Sequence, residues 1–504
     1  MKKGTALALV AALLLGLMAP ALAETELTVW LNHTWYPTDE FVGIIPDAIR
    51  EKTGVTLDPT RAVDESQLGL MIASGDLMDL VFTDQELSRL SNADLCYSYS
   101  ELIEQYCPEW EPDPVAITNA ASYSTDGDYY FLFSHAFTTD EWRNATAGVP
   151  SFGTLCYRAD IAEELGFDAT SFTTIEELDA LYAAVHEAYP DMEVLCYGPV
   201  TGWQYFEAMF GISPHTHWIE AEDGSYVHVI NSQNFENQTR KLNEYYRLGY
   251  INPDSFAYDE STADGNMYTG KTFSYVNSTQ GYAYTFTTMG QEATGNENFS
   301  VLEMNPLGDD AAYRLANLGW CGTFIPRTCK DPEAAIKLMQ YLFSDEGAML
   351  TMCGREGIEY TLDENGVPVF SQEWIDATMD EETFATQYNT NFYFGTTALI
   401  EAISRTCTLP QAYQDTYAKI RERIVCEPWY TLAEPKDPDS DEYIISAKLE
   451  DMMKTWTSTL ILSESEEAFE ANLAQLRENA QKTGVDELTV YMNEQIAQKK
   501  ALYE

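Results

Sequence analysis

The sequence predicts an α/β fold with two lobes, each a mainly parallel sheet flanked by helices, and extra helices toward the carboxyl end. Three observations predict it. From Leu27 to Phe82, strand-like and helix-like patterns alternate in the order β-α-β-α-β, and helical crossovers imply parallel strands joined with right-handed connections. The chain has 504 residues, well past the length at which one hydrophobic core stops growing. The block from Leu318 to Gly357 then reads as a strand, a capped helix, a Ser-Asp-Glu-Gly stop and a second short helix.

Taken in order, Met1-Lys2-Lys3 is a basic start, Ala6 to Leu17 an apolar run and Ala21-Leu22-Ala23 a small-x-small cleavage signal. Residues 1–23 are therefore expected to be a signal peptide, with Glu24 as the new amino terminus. The run is shorter than the roughly 20 residues a membrane span needs. Leu27 to Leu31 is a buried strand ending in the polar loop Asn32 to Trp35. A helix is expected from Thr38 or Asp39 to Lys52, closed by Gly54. Val55 to Leu57 is the next strand. A helix carrying Leu68, Leu70, Met71 and Ile72 stops at Ser74-Gly75, and Leu80 to Phe82 is the third strand, with Asp79 before it as a structural anchor.

Further on, Asp126 to Phe133 is a tight turn into a strand, and Gly153 to Asp160 a strand running into a helix. Thr173 to Leu178 is a helix entry with acids in its first turn, Tyr245 to Pro253 a helix end, and Gly270 to Val276 another strand. In the block after Leu318, Gly319 and Gly322 flank Trp320, and Asp331-Pro332-Glu333 combines an N-cap, a first-position proline and an early acid. Ala334, Ala335, Leu338, Leu342 and Phe343 follow at helical spacing. Ser463 to Glu467 starts a helix, and Val485 to Tyr503 has helical periodicity.

Composition bounds the function. Hydrophobic residues at 45% and aromatics at 13% indicate a folded chain. Its 81 acidic against 28 basic residues give a net charge of −53, which repels phosphate backbones and anionic lipid, so no nucleic-acid partner is expected. Nine cysteines, an odd number, contain no CxxC pair. They sit in apolar settings such as Leu195-Cys196-Tyr197, which predicts small buried hydrophobes and no disulfide framework.

The phrase MIASGDLMDLVFTD, Met71 to Asp84, resembles the first-lobe signature of the extracellular solute-binding proteins of family 1, the sugar-binding group of ABC importers. Met78 stands where proline is common. The segments above follow that family's order as far as Gly366. The resemblance implies a two-lobed, type II periplasmic-binding-protein-like fold. Its first lobe would be 24–133 plus 303–342 and its second 137–297 plus 348–504, with hinges near 134–153, 296–303 and 343–347. It also implies a monomeric, exported protein, extracellular, at the cell surface or periplasmic. Such a protein captures a carbohydrate, most simply an oligosaccharide, in a cleft by hinge closure and delivers it to ABC transporter permease subunits. No cysteine follows Ala23 to carry a lipid anchor. Rival readings are an exported glycoside hydrolase or lyase, and the same fold binding a non-sugar polar solute.

Ligands of open α/β sheets bind beyond the carboxyl ends of the strands. That rule selects Asn32, Trp35, Asp84, His135, Trp142, Trp203, Asn277 and Trp320 as ligand-binding candidates. A sugar has apolar CH faces and a rim of hydroxyls, so it needs aromatic platforms and in-plane polar partners. Trp35, Trp203 and Trp320 suit the first role; Asn32, Asp84, His135 and Asn277 suit the second. The resemblance supports Trp203, because the family presents an aromatic loop near Gly198 to Trp203. Each aromatic has the alternative of being a core residue.

No cofactor, metal ligand set or catalytic residue is expected. GxSxG, HExxH and dinucleotide motifs do not occur, so the chain does not read as an enzyme. Carboxylate pairs for glycoside hydrolysis depend on a separation in space that a sequence does not display. His215-Thr216-His217 with His228 is a weak chelating pattern. Asp437-Pro438-Asp439-Ser440-Asp441 alternates acids like a calcium loop, but Lys448 stands where the twelfth-position Glu belongs. The resemblance makes a structural calcium compatible with this loop.

Overall fold

The computed structural model describes residues 25–148, 153–197, 204–213, 216–277, 282–316, 318–378, 381–437 and 439–503. The expected signal peptide and Trp203 lie outside them. The chain divides into two compact units. The first takes residues 25–134, Cys321–Arg355 and Gln372–Thr396, and the second takes His135–Trp320, Glu356–Ser371 and residues 397–503.

Unit 1 is built on β1 (Thr25–Leu31), α1 (Ile44–Thr53), β2 (Val55–Arg61), α2 (Gln67–Ser74) and β3 (Leu80–Thr83). β1 lies between β2 and β3 and pairs with both in parallel, as the crossover argument requires. A strand from much later in the chain, Gly322–Phe324, adds antiparallel to β3. The apolar residues Leu27, Val29, Leu31, Leu80, Val81 and Phe82 are buried. Asp79 fastens the sheet to the returning chain. Its carboxylate accepts from the Thr28 N–H at 2.9 Å, the Thr28 hydroxyl at 2.8 Å and the Lys330 N–H at 2.9 Å. The caps follow the sequence: Gly54 and Gly75 end α1 and α2 in the left-handed region, and the Asp331 side chain accepts from the Ala334 N–H at 3.0 Å.

α1 starts at Ile44, later than the expected Thr38 or Asp39. The Asn389 amide explains the delay. It donates to the carbonyls of Glu40 at 2.8 Å and Val42 at 3.1 Å, holding oxygens that an early helical turn would use.

Unit 2 has a sheet in the order Glu193–Cys196, Thr272–Asn277, Thr154–Arg158, Val301–Met304. The first two strands are parallel, and Thr154–Arg158 runs antiparallel to both of its neighbours. Three strands therefore share a direction and one is reversed. The expected early helix is present, with Thr174 and Glu177 forming a reciprocal capping box. The last three helices, Asp441–Ile461, Glu466–Thr483 and Val485–Lys500, supply Leu449, Leu460, Phe469, Leu476, Leu488 and Ile496 to one apolar cluster of this unit.

Two boundaries correct the sequence reading. Residues 303–320, expected in the first lobe, fall in unit 2. Val301–Met304 pairs with Thr154–Arg158, and Tyr313–Leu315 pairs with Ile424–Cys426. Residues 348–355 and 372–396, expected in the second lobe, fall in unit 1. The latter segment brings Phe392 to 4.4 Å from Phe41 and Phe394 to 5.0 Å from Phe82, ring centre to ring centre. Trp374, on the same segment, is buried in contact with Phe384 and Tyr388.

None of the nine cysteines is in a disulfide. Among the described residues, no helix is long and apolar enough to cross a membrane.

Candidate functional site

The register of the unit 1 sheet sets its candidate site. Leu31 of β1 pairs with Phe82 of β3, and Thr83 pairs with Gly322. Residues just after β1, just after β3 and just before Gly322 therefore meet at one end of the sheet. They are Asn32 and His33, Asp84, and Cys321.

Asn32 is fully buried. Its Oδ1 accepts from Trp30 Nε1 at 3.0 Å and its Nδ2 donates to Thr83 Oγ1 at 3.3 Å. Both ends of the amide bind protein, so the expectation that Asn32 meets ligand hydroxyls gives way to a bracing role between β1 and β3. Asp84 is exposed. Trp35 keeps 54% of its surface open, lies nearly parallel to Tyr36 with ring centres 5.9 Å apart, and sits 5.3 Å from His33. Tyr36 is buried and donates through its hydroxyl to the Asn391 carbonyl, so a fixed ring backs the exposed one.

His33 and Cys321 were not among the expected site residues. His33 Nε2 lies 3.2 Å from Cys321 Sγ, and both side chains are buried. Burial pushes the His33 imidazole below its ordinary pKa, against the opposing pull of the Asp84 and Glu65 carboxylates. Burial drives the Cys321 thiol far up, and the Asp84 charge adds to that. Burial therefore favours a neutral imidazole beside a protonated thiol.

Within unit 2, His135 and Trp320 meet edge to face with ring centres 5.4 Å apart. His135 Nε2 is 3.3 Å from Glu401 Oε2, and Arg405 reaches the other oxygen of that carboxylate at 2.7 Å. Burial alone would raise the Glu401 carboxyl, but Arg405 and His135 bring it below its ordinary value. Burial lowers the His135 imidazole, with Glu401 opposing. His135 adopts the left-handed region at φ 60°, a conformation in which a non-glycine residue is uncommon. Trp320, half-buried, is thus held by a row of His135, Glu401 and Arg405. Asn277 is the last residue of its strand, opposite Thr154.

Trp142 corrects the sequence reading. It is fully buried in a unit 2 apolar cluster, edge-on to Phe137 at 5.6 Å. A ring with no open face cannot stack on a sugar, so Trp142 is a packing residue. The acidic loop at Asp437 is engaged locally. Asp437 Oδ1 accepts from the Asp439 N–H at 3.1 Å, and Ser440 accepts from the Tyr443 N–H to cap the helix that begins at Asp441.

A separate polar cavity of about 340 Å³ lies in unit 2, lined by Tyr197, Glu207, Thr216, His217, His228 and Glu434 among others. Glu207 Oε2 is sealed without a hydrogen-bond partner. Burial pushes the Glu207 carboxyl up to about 8 and the His228 imidazole down to about 3, the latter helped by His217. The signs are opposite. Glu207, an acid whose folded value is raised, leaves stability intact below the unfolded value near 4.5 and erodes it as pH rises toward 8. His228, a base whose folded value is lowered, erodes stability as pH falls from 6.5 toward 3. At about 1.4 kcal/mol per pH unit, Glu207→Gln should stabilise unit 2 by up to about 3 kcal/mol at pH 7 and by nothing at pH 4. Denaturant unfolding at both pH values checks this; an equal effect at both would mean the carboxyl is not held protonated.

No protein-family model matches the chain, and no curated protein does. Solved structures do match. The Streptococcus pneumoniae ABC-transporter substrate binding protein FusA, in complex with kestose, is 16% identical at a TM-score of 0.67, over 95% of this chain and 100% of that one. A human-milk-oligosaccharide (HMO) binding, ABC-transporter-associated solute binding protein from Bifidobacterium longum infantis is 13% identical at 0.64, over 94% and 98%. The N-glycan transport solute binding protein NgtS of Streptococcus pneumoniae is 13% identical at 0.61, over 95% and 100%. The chain has the ABC-transporter solute-binding-protein fold. That likeness extends over both units and past Gly366, where the sequence resemblance thins. On this fold the structure places Trp35 and Asp84 at the sheet end of unit 1, and His135 with Trp320 in unit 2. It moves Asn32 and Trp142 to supporting roles.

Proposed function

We propose that this chain is the exported solute-binding component of an ABC importer, and that its solute is a carbohydrate, in the first instance an oligosaccharide. It would hand that solute to membrane permease subunits as a monomer, making and breaking no bond. The observation that carries the reading is Trp35. An aromatic ring open over half its surface and exposed Asp84 follow the parallel strands β1 and β3 at the same end of the unit 1 sheet. That pairs an apolar platform with a hydroxyl acceptor, the combination a pyranose or furanose needs. Trp320 with His135 is the candidate pair in unit 2, and Trp203 and Asn277 remain in the proposed set. The ligands named for the similar solved structures, kestose among them, support a sugar.

Calorimetry against fructo-oligosaccharides, milk oligosaccharides and N-glycans tests the reading. Trp35→Ala or Trp320→Ala should weaken the bound glycan about tenfold, the effect of losing a stacking contact of about 1.5 kcal/mol. Heat from no glycan but from amines or peptides would reassign the solute. Glycan cleavage seen by chromatography would overturn the proposal.

A further inference from the structure

We propose that His33, Cys321 and Asp84 form a binding site for a zinc-class divalent cation within unit 1. One donor atom from each residue lies within 4.8 Å of the other two. His33 Nε2 and Cys321 Sγ are 3.2 Å apart. In a tetrahedral site with Zn–N near 2.0–2.1 Å and Zn–S near 2.3 Å, nitrogen and sulfur stand about 3.6 Å apart. The His33–Cys321 pair therefore admits an ion with movements of a few tenths of an ångström, and the Asp84 carboxylate closes on it from within 4.8 Å.

The donor set selects the metal. Thiolate and imidazole suit zinc, whereas calcium and magnesium take oxygen ligands. This site is unrelated to the acidic loop at Asp437, which offers only oxygens. The sheet supplies the rigidity. His33 follows β1, Asp84 follows β3 and Cys321 precedes the strand paired with β3, so the register fixes all three backbones. Trp35 at 5.3 Å and Phe82 at 5.7 Å wall the imidazole ring. His33 and Cys321 are buried and Asp84 is exposed, so Asp84 is the donor that faces solvent. On binding, the Sγ–H bond breaks, an Sγ–metal bond forms and the proton leaves to solvent, with no change of oxidation state. Asp84 is shared with the proposed glycan site, and the metal is read with no glycan present, so failure of one reading is distinguishable from failure of the other.

The test uses the full chain stripped of metal, titrated with cobalt(II) and, in equilibrium dialysis, with zinc. The expected result is one tightly held equivalent, with a sulfur-to-cobalt charge-transfer band in the near ultraviolet. Cys321→Ser should abolish the band, and Cys407→Ser, in the other unit, should keep it. Asp84→Asn should weaken zinc by at least about tenfold, a scale that even outer-shell partners reach. Asp84 is exposed, so this variant decides the matter should Cys321→Ser fail to fold. Absence of the band in the native chain, its survival in Cys321→Ser, or unchanged zinc affinity in Asp84→Asn would overturn the site.

Discussion

Gly347→Ala should destabilise unit 1 by about 3 kcal/mol, at the upper end of what overpacking usually costs. Gly347 sits in the first turn of the helix Asp345–Cys353, where its N–H donates to Ser344 Oγ at 3.1 Å. A Cβ there would fall 1.9 Å from the Tyr341 carbonyl oxygen and 2.7 Å from its carbon. Those atoms are backbone at the end of the preceding helix, Pro332–Leu342, and cannot rotate aside as a side chain can. The cost is one of space, because Gly347 needs no left-handed backbone. Gly69→Ala is the matched control. It lies in α2, where the added methyl would meet only the Glu86 carboxylate at 3.4 Å and the Arg89 guanidinium at 3.7 Å. That substitution should stabilise by about 0.4–1 kcal/mol through the unfolded chain. Thermal unfolding of the two variants side by side reads the difference, and equal shifts would refute the close approach at Gly347.

Trp142→Ala should cost about 3–5 kcal/mol, the range for emptying a large aromatic from a core. Trp142 lies on the helix Thr139–Asn144, whose amino end is closed by a capping box between Thr138 and Glu141. Its neighbours in the cluster include Tyr313, Ala402 and Tyr417. Trp142→Phe should recover much of that loss and leave glycan affinity within about twofold, since a packing residue acts through volume. A tenfold loss of affinity in a stably folded Trp142→Phe would restore it to the ligand set. Calorimetry on the phenylalanine variant, with its unfolding curve, separates the two roles.

Local patterns told these tryptophans apart poorly. Trp35 and Trp142 both follow strand-like or turn segments, and both were expected to meet ligand. Exposure differs because Trp35 stands on a loop past β1 with Tyr36 behind it, whereas Trp142 is on a short helix that packs into unit 2. Asn32 has the chemistry of a hydroxyl partner and follows a strand. Its amide is consumed by Trp30, two residues away, and by Thr83, 51 residues away. Only the second partner depends on folding, and it is the one that turns Asn32 into a brace. Glu401 and Arg405, which hold His135, are drawn from the far side of the sequence and carried no signal near His135.

Local features are written in the residue order alone: the β-α-β-α-β start, the Gly54, Gly75 and Asp331 caps, the Thr174–Glu177 box and the helical character of the last segments. These depend on contacts within a few residues, where spacing and side-chain chemistry suffice. The residue order also pointed to the α/β class, since alternating elements leave few ways to bury their apolar faces. Tertiary structure alone decided which segments join which unit, as with 372–396, whose aromatic rings settle against Phe41 and Phe82. It alone placed Cys321 beside His33, 288 residues earlier in the chain. A donor set of that kind comes from strand register between distant segments, and register is a property of pairing that neither segment carries on its own.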